Sequence, residues 1–196
     1  MHKSLIIGIT GGIGSGKTTF ANILRKNGYF VYDSDVEAKK LQNENAVLRN
    51  KLIETFGADI YKSNELDRKK LASIVFGNPE LLQKLNSIVH PAVLENFLHW
   101  KEFHTKEKCL FLESALLFES KFNLLTDKII LITASEHVRI KRVMKRDDIS
   151  DEQVKLRIKN QQLDNDKYKL VDVIINTDEG SPSQNSMNEI LSKLGV

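Results

Sequence analysis

Five of the ten glycines in this chain fall within nine residues, at Gly8, Gly11, Gly12, Gly14 and Gly16. Such a cluster calls for backbone geometry that other residues resist, and its flanks limit what that geometry serves. Ahead of it, Leu5-Ile6-Ile7-Gly8-Ile9 is an unbroken apolar run, which reads as a strand buried on both faces of a parallel sheet. Behind it, residues 17–27 place Phe20, Ile23 and Leu24 on one helical face, with Gly28 as the stop. Between the two, Gly11-Gly12-Ile13-Gly14-Ser15-Gly16-Lys17-Thr18 fits G-x-x-x-x-G-K-[ST]. A loop of this kind wraps so that successive N–H groups point inward at phosphate oxygens. The helix opening near Gly16 adds its positive dipole end. Lys17 is then placed to reach the β- and γ-phosphates, and Thr18 to ligate Mg²⁺. The pattern predicts binding of a nucleoside triphosphate.

The rest of the chain alternates. Tyr29-Phe30-Val31-Tyr32 reads as a second strand ending at Asp33, and Ser34 with Glu37 as a capping box for the next helix. Residues 38–105 are mostly helical with no clear strand. Asp67, Asn78-Pro79 and His90-Pro91 look like helix starts. Strands resume at Cys109-Leu110-Phe111-Leu112, running into Glu113, and at Ile129-Ile130-Leu131-Ile132, running into Thr133. Ser135 opens a helix to about Arg146. Ser150 with Gln153 caps another to about Gln161. A last strand spans 171–175 and a closing helix 182–194. Strands alternating with helices imply an α/β fold with a parallel sheet and right-handed crossovers.

Several side chains outside the loop carry chemistry. Asp33-Ser34-Asp35 sits where the second strand ends, and functional groups of open parallel sheets gather at such ends. An acid there accepts the proton of an attacking hydroxyl or holds Mg²⁺ through water. Helix capping is the competing reading, although Ser34 alone suffices for it. Glu113, after four apolar residues, is either a metal-linked carboxylate or a solvent-facing strand end. Residues 139–159 hold eight basic side chains, with Arg139, Arg142 and Arg146 on one helix face. Most of these form a solvated face. One or two arginines suit the charge of a transferred phosphoryl group. His2, His99, His104 and His137 have no metal-ligand spacing.

Composition narrows the classes further. Twenty-nine basic and 26 acidic residues give a net charge of +3, too weak to argue for nucleic acid. The single cysteine, Cys109, excludes an intramolecular disulfide and reads as a buried thiol. No apolar stretch approaches the roughly 20 residues of a membrane helix. The opening Met1-His2-Lys3 and the strand after it show no leader pattern, so a reducing cytoplasm is the expected setting.

Taken together, these residues resemble the dephospho-coenzyme A kinases. The resemblance begins at residues 10–18 and continues through Asp33-Ser34-Asp35, Leu66-Asp67-Arg68, Phe76, Leu85-Asn86 and His90-Pro91. It resumes at Leu116-Leu117-Phe118-Glu119, Arg142, Arg146-Asp147, Arg157-Ile158, Gln161 and Asp172 to Asn176. It covers nearly the whole chain in order. Two positions depart from the family pattern: Ala115, where proline is usual, and Glu113, where aspartate is common.

The resemblance implies ATP-dependent phosphorylation of the ribose 3′-hydroxyl of dephospho-CoA, with Mg²⁺. It implies a P-loop NTPase fold, a three-layer α/β/α core over 1–37, 106–138 and 162–196. A helical acceptor-binding insertion over 38–105 and a helical lid over 139–161 complete it. In that reading ATP is bound by residues 11–18, Thr19, Arg142 and Arg146. Asp33 is the base, with Lys17 and Arg146 assisting the transfer. Asp35, His90, Leu117 and Glu119 lie on the acceptor side, with Asp33. Thr18 holds Mg²⁺ with Asp33 or Glu113 through water.

Two rivals remain. Another small-molecule or nucleoside monophosphate kinase shares the loop. A GTP-dependent switch needs an Asn-Lys-x-Asp motif, which this chain lacks. Neither nucleic acid nor membrane is an expected partner.

Overall fold

The structure, a computed structural model, describes residues 4–75, 77–159, 165–182 and 184–196. His2, Phe76, Gln161 and the end of the expected lid lie outside them. The described chain forms two compact units, Met1–Tyr32 with His104–Val196, and Asp33–Phe103.

The first unit is built on a parallel sheet of order β2-β5-β1-β6-β7, the architecture of P-loop NTPases. Its strands are β1 (Leu5–Thr10), β2 (Val31–Asp33), β5 (Cys109–Glu113), β6 (Lys128–Thr133) and β7 (Val173–Asn176). Helices α1 (Lys17–Lys26), α6 (Glu136–Asp147), α7 (Asp151–Lys159) and α8 (Gln184–Lys193) flank it. β1 lies centrally, in register with β5 (Ile7 opposite Phe111) and with β6 (Ile9 opposite Ile130). On one face Ile7, Ile9, Phe111, Ile130 and Ile132 pack with Phe20 and Leu24 of α1 and Met187 and Leu191 of α8. Alternate residues Ile6, Leu110, Leu112, Ile129 and Leu131 are buried on the other. Burial on both faces is why these strands read as continuous apolar runs.

Two carboxylates seal strand starts. Asp127 Oδ2 accepts from the Ile6 amide and Asp172 Oδ2 from the Ile129 amide, both at 2.8 Å. α1 stops as expected, with Asn27 as C-cap and Gly28 following at φ +85°.

The second unit holds α2 (Ser34–Glu44), α3 (Ala46–Phe56), α4 (Arg68–Val75) and α5 (Pro79–Glu102). It begins at Asp33, the last residue of β2, and α2 packs on α3 and α5. It also contains strands that the sequence pattern does not announce, the antiparallel pair β3 (Tyr61–Lys62) and β4 (Glu65–Leu66). Their turn places Ser63 and Asn64 at φ +48° and +68°. Lacking the glycine that usually marks such a turn, the hairpin has no sequence signature.

Two helix-start readings change. His90-Pro91 does not open a helix: Pro91 lies inside α5, whose N-terminus is Asn78-Pro79. An internal proline costs about 3 kcal/mol, and burial of Val89, Val93 and Phe97 carries the helix through it. Ser34 does not cap α2. The Asp33 carboxylate does, accepting from the amides of Asp35 and Val36. Ser135 opens α6 as expected, and its hydroxyl bonds Asp178 Oδ1 at 3.0 Å. The Ser150–Gln153 box forms as expected.

Candidate active site

The segment after β1 is curled. Ser15 N donates to Gly12 O at 3.1 Å, and Phe20 N to Gly16 O opens α1. Gly11 and Gly14 have φ +152° and +76°. A β-carbon at Gly11 would run into the Ile132 carbonyl, and one at Gly14 into the Arg139 carbonyl. Only glycine fits at either place. Gly16 precedes α1 with no side-chain cap, and the first turn carries no acid. That helix end keeps its positive character for an anion. Ile13 is partly exposed, and Thr19 is exposed on the first turn of α1.

Lys17 folds back onto the loop, its Nζ donating to Gly11 O at 2.8 Å and to Gly12 O at 3.4 Å. Thr18 Oγ1 donates to Glu113 Oε1 at 2.8 Å. Glu113 is 2% exposed and ends β5. The register of β5 beside β1 brings it to the loop, and Arg25 of α1 lies 3.7 Å from its other oxygen. Glu113 is therefore an interior acid tied to the loop, not a solvent-facing strand end.

The donors available to Mg²⁺ here would be the Thr18 hydroxyl and the Glu113 carboxylate, and among the described residues no group of three or more acids, His or Cys could hold a metal ion. Mg²⁺ keeps several waters and takes one or two protein oxygens plus phosphates, so this set fits it.

The basic stretch divides by position. Arg142 donates to Thr177 Oγ1 at 2.8 Å, Thr177 O at 2.5 Å and Gly14 O at 3.4 Å. Thr177 Oγ1 in turn donates to Ser15 O at 2.7 Å. Arg139 Nε donates to Ile13 O at 2.8 Å, and burial lowers its guanidinium pKa. Arg146 is exposed and forks onto Asp147, at 2.7 and 3.1 Å. Arg157 reaches the same carboxylate at 2.7 Å. The hydrogen bond from Arg146, joined by that from Arg157, holds the Asp147 carboxyl below the usual range.

Sequence reasoning missed Thr177 and the grip of Arg139. The polar run Asn176-Thr177-Asp178 at the end of β7 was the available signal for Thr177.

On the acceptor side the placements differ. Leu117 is a packing residue: it is fully buried, its Cδ2 lies against Gly8 and its carbonyl takes the Asn123 amide. Glu119 is exposed in the first unit. Asp33, Asp35 and His90 belong to the helical unit, His90 partly buried in mid-α5 and Asp35 exposed in the first turn of α2. That unit also carries an open groove of about 560 Å³ along α2 and α5, with Leu41, Leu94 and Leu98 beside Asn45 and Asn96.

Comparison with known proteins agrees. A family model for dephospho-CoA kinase matches residues 5–183. The dephospho-CoA kinase of a Bacillus cereus strain is 39% identical over 178 residues, 89% of each chain. That of Porphyromonas gingivalis is 41% identical over 158 residues, 81% of this chain and 78% of its own. The solved dephospho-CoA kinase from Campylobacter jejuni has a TM-score of 0.66 at 30% identity, covering 97% of this chain and 95% of that one. A shikimate kinase from Acinetobacter baumannii, 13% identical with a TM-score of 0.52 and covering 99% of this chain and 95% of its own, shares the fold alone. With matches of this extent on a glycine loop of this geometry, the chain belongs to the dephospho-CoA kinase family.

Proposed function

We propose that this kinase transfers the γ-phosphoryl group of ATP to the ribose 3′-hydroxyl of dephospho-CoA, giving coenzyme A and ADP. This is the closing step of coenzyme A synthesis. The observation that carries the phosphoryl-transfer half is the curled glycine loop with Lys17 on it and Thr18 bonded to Glu113. The acceptor follows from family membership.

Phosphoryl transfer asks for positioning and charge stabilisation more than covalent chemistry. The loop amides and the Lys17 ammonium hold the triphosphate. Thr18, with Glu113 through water, holds Mg²⁺, which when bound neutralises phosphate charge. Asp33 takes or orients the hydroxyl proton through Oδ2, since both capping bonds use Oδ1. Arg146 exchanges Asp147 for the transferred group, as the moving part of a lid that also excludes water. Arg142, held at Thr177 and Gly14, supports the nucleotide from its fixed place.

In the helical unit, Leu41, Leu94 and Leu98 with Asn45 and Asn96 suit the alternating methylene and amide groups of the acceptor's pantetheine arm. The reaction belongs in the cytoplasm, in keeping with the lone buried thiol. Among the described residues no helix is long and apolar enough to cross a membrane.

An acceptor panel with Mg-ATP tests the reading. Turnover on dephospho-CoA well above that on nucleoside monophosphates and shikimate supports it. Preference for another acceptor replaces it with a different small-molecule kinase.

A further inference from the structure

α6 touches the phosphate loop at successive positions. Arg139 Nε donates to Ile13 O at 2.8 Å. A β-carbon built on Gly12 would come 2.5 Å from Arg139 Nη2, so the guanidinium lies directly against that glycine. The Arg139 carbonyl and a Val143 methyl stand 2.7 and 2.9 Å from where a Gly14 β-carbon would be. One turn on, Arg142 Nη1 donates to Gly14 O at 3.4 Å. Nη2 is itself buried and, among the described residues, has no hydrogen-bond partner. A cation is thus kept half-buried against the loop, although leaving such a donor without an acceptor is costly. A purely solvated charge has no reason to sit there.

We propose that Arg139 is a positioning residue for nucleotide binding. It braces the main chain of residues 12–14 from α6, holding the Ile13 carbonyl turned to the guanidinium so that the loop keeps its phosphate-ready curl. The first two turns of α6, through Val143, are then a fixed strut of the loop, and lid motion is confined to residues beyond it. Arg139 acts through the loop backbone and does not touch the reacting atoms.

The proposal rests on the kinase reading only for its nucleotide. The primary measurement is calorimetric binding of Mg-ADP and of adenosine with no acceptor present, so failure of the acceptor assignment leaves it intact. Arg139→Gln removes the charge and the Nε donor. Loss of one charge-assisted hydrogen bond that orders the loop weakens Mg-ADP binding by roughly tenfold. Adenosine affinity and the melting temperature stay near wild type. In turnover, KM for ATP rises by a similar factor while kcat changes less than about twofold.

Gly12→Ala pushes a methyl into the guanidinium and disturbs the same contact from the other side. In a double-mutant cycle the two substitutions are less than additive. Should Arg139→Gln not fold, Arg139→Lys keeps bulk and charge without the Nε–H and gives an intermediate rise in KM. Unchanged Mg-ADP affinity, with or without a lower melting temperature, overturns the proposal. So do a fall in kcat at constant KM, which would make Arg139 a contact of the reacting group, and full additivity in the cycle.

Discussion

Thr18 Oγ1 and Glu113 Oε1 are joined by a 2.8 Å hydrogen bond across 95 residues of sequence. The bond ties the last position of the glycine loop to the buried end of the neighbouring strand β5. Glu113→Gln keeps the shape but removes the charge. Activity then falls at least about tenfold, the scale of one lost charge-assisted contact in the transition state. More Mg²⁺ is needed for half-maximal rate, while the melting temperature moves little. A normal Mg²⁺ titration curve would assign Glu113 to packing alone.

Lys17 Nζ bonds main-chain carbonyls of its own loop, so its removal leaves the fold intact. Lys17→Ala abolishes most turnover and weakens Mg-ATP binding, with an unchanged circular dichroism spectrum. Near-normal turnover would remove its phosphate role.

Substitution separates the helix cap that Asp33 makes from its proposed role at the hydroxyl proton. As N-cap of α2 it serves stability, and asparagine caps as well as aspartate. Asp33→Asn therefore lowers kcat far more than KM for ATP at little cost in stability. Asp33→Ala adds a loss of about 1 kcal/mol in a denaturant titration. Equal kcat for wild type and Asp33→Asn would leave only the cap.

Leu98 is 44% exposed beside the α2–α5 groove, so its replacement disturbs little packing. Leu98→Glu raises KM for dephospho-CoA several-fold and leaves KM for ATP unchanged. If neither KM moves, the pantetheine arm lies elsewhere.

Burial, with a smaller contribution from the Glu107 charge, pushes the Cys109 thiol up to about 11 from 9.0. The folded chain then holds this proton more tightly than the unfolded one. Stability from this group is complete below pH 9 and declines as the pH rises towards 11. Native protein at pH ~8 reacts with an alkylating reagent much more slowly than denatured protein. Rapid modification of the native state would show the start of β5 to be open.

The signals readable in the sequence are those with local causes. The glycine loop, the Gly28 stop, the Asn78-Pro79 start and the Ser150–Gln153 box each depend on a few adjacent residues. The readings that change depend on competition. Asp33 and Ser34 both suit an N-cap, and only the observed chain path selects Asp33. Pro91 has the look of a helix start, but packing of Val89, Val93 and Phe97 carries α5 past it. The Ser63-Asn64 turn carries no glycine and is held by its surroundings.

By itself the sequence determined that residues 11–18 curl and that apolar runs stack into a parallel sheet. Steric freedom at glycine and the periodicity of side chains are properties of neighbours along the chain. The tertiary structure alone decided which distant groups meet that loop: Glu113 through β-sheet register, Thr177 through the end of β7, and Arg139 and Arg142 through the seating of α6. Pairing of this kind is set by how strands and helices pack, and linear spacing carries no record of it.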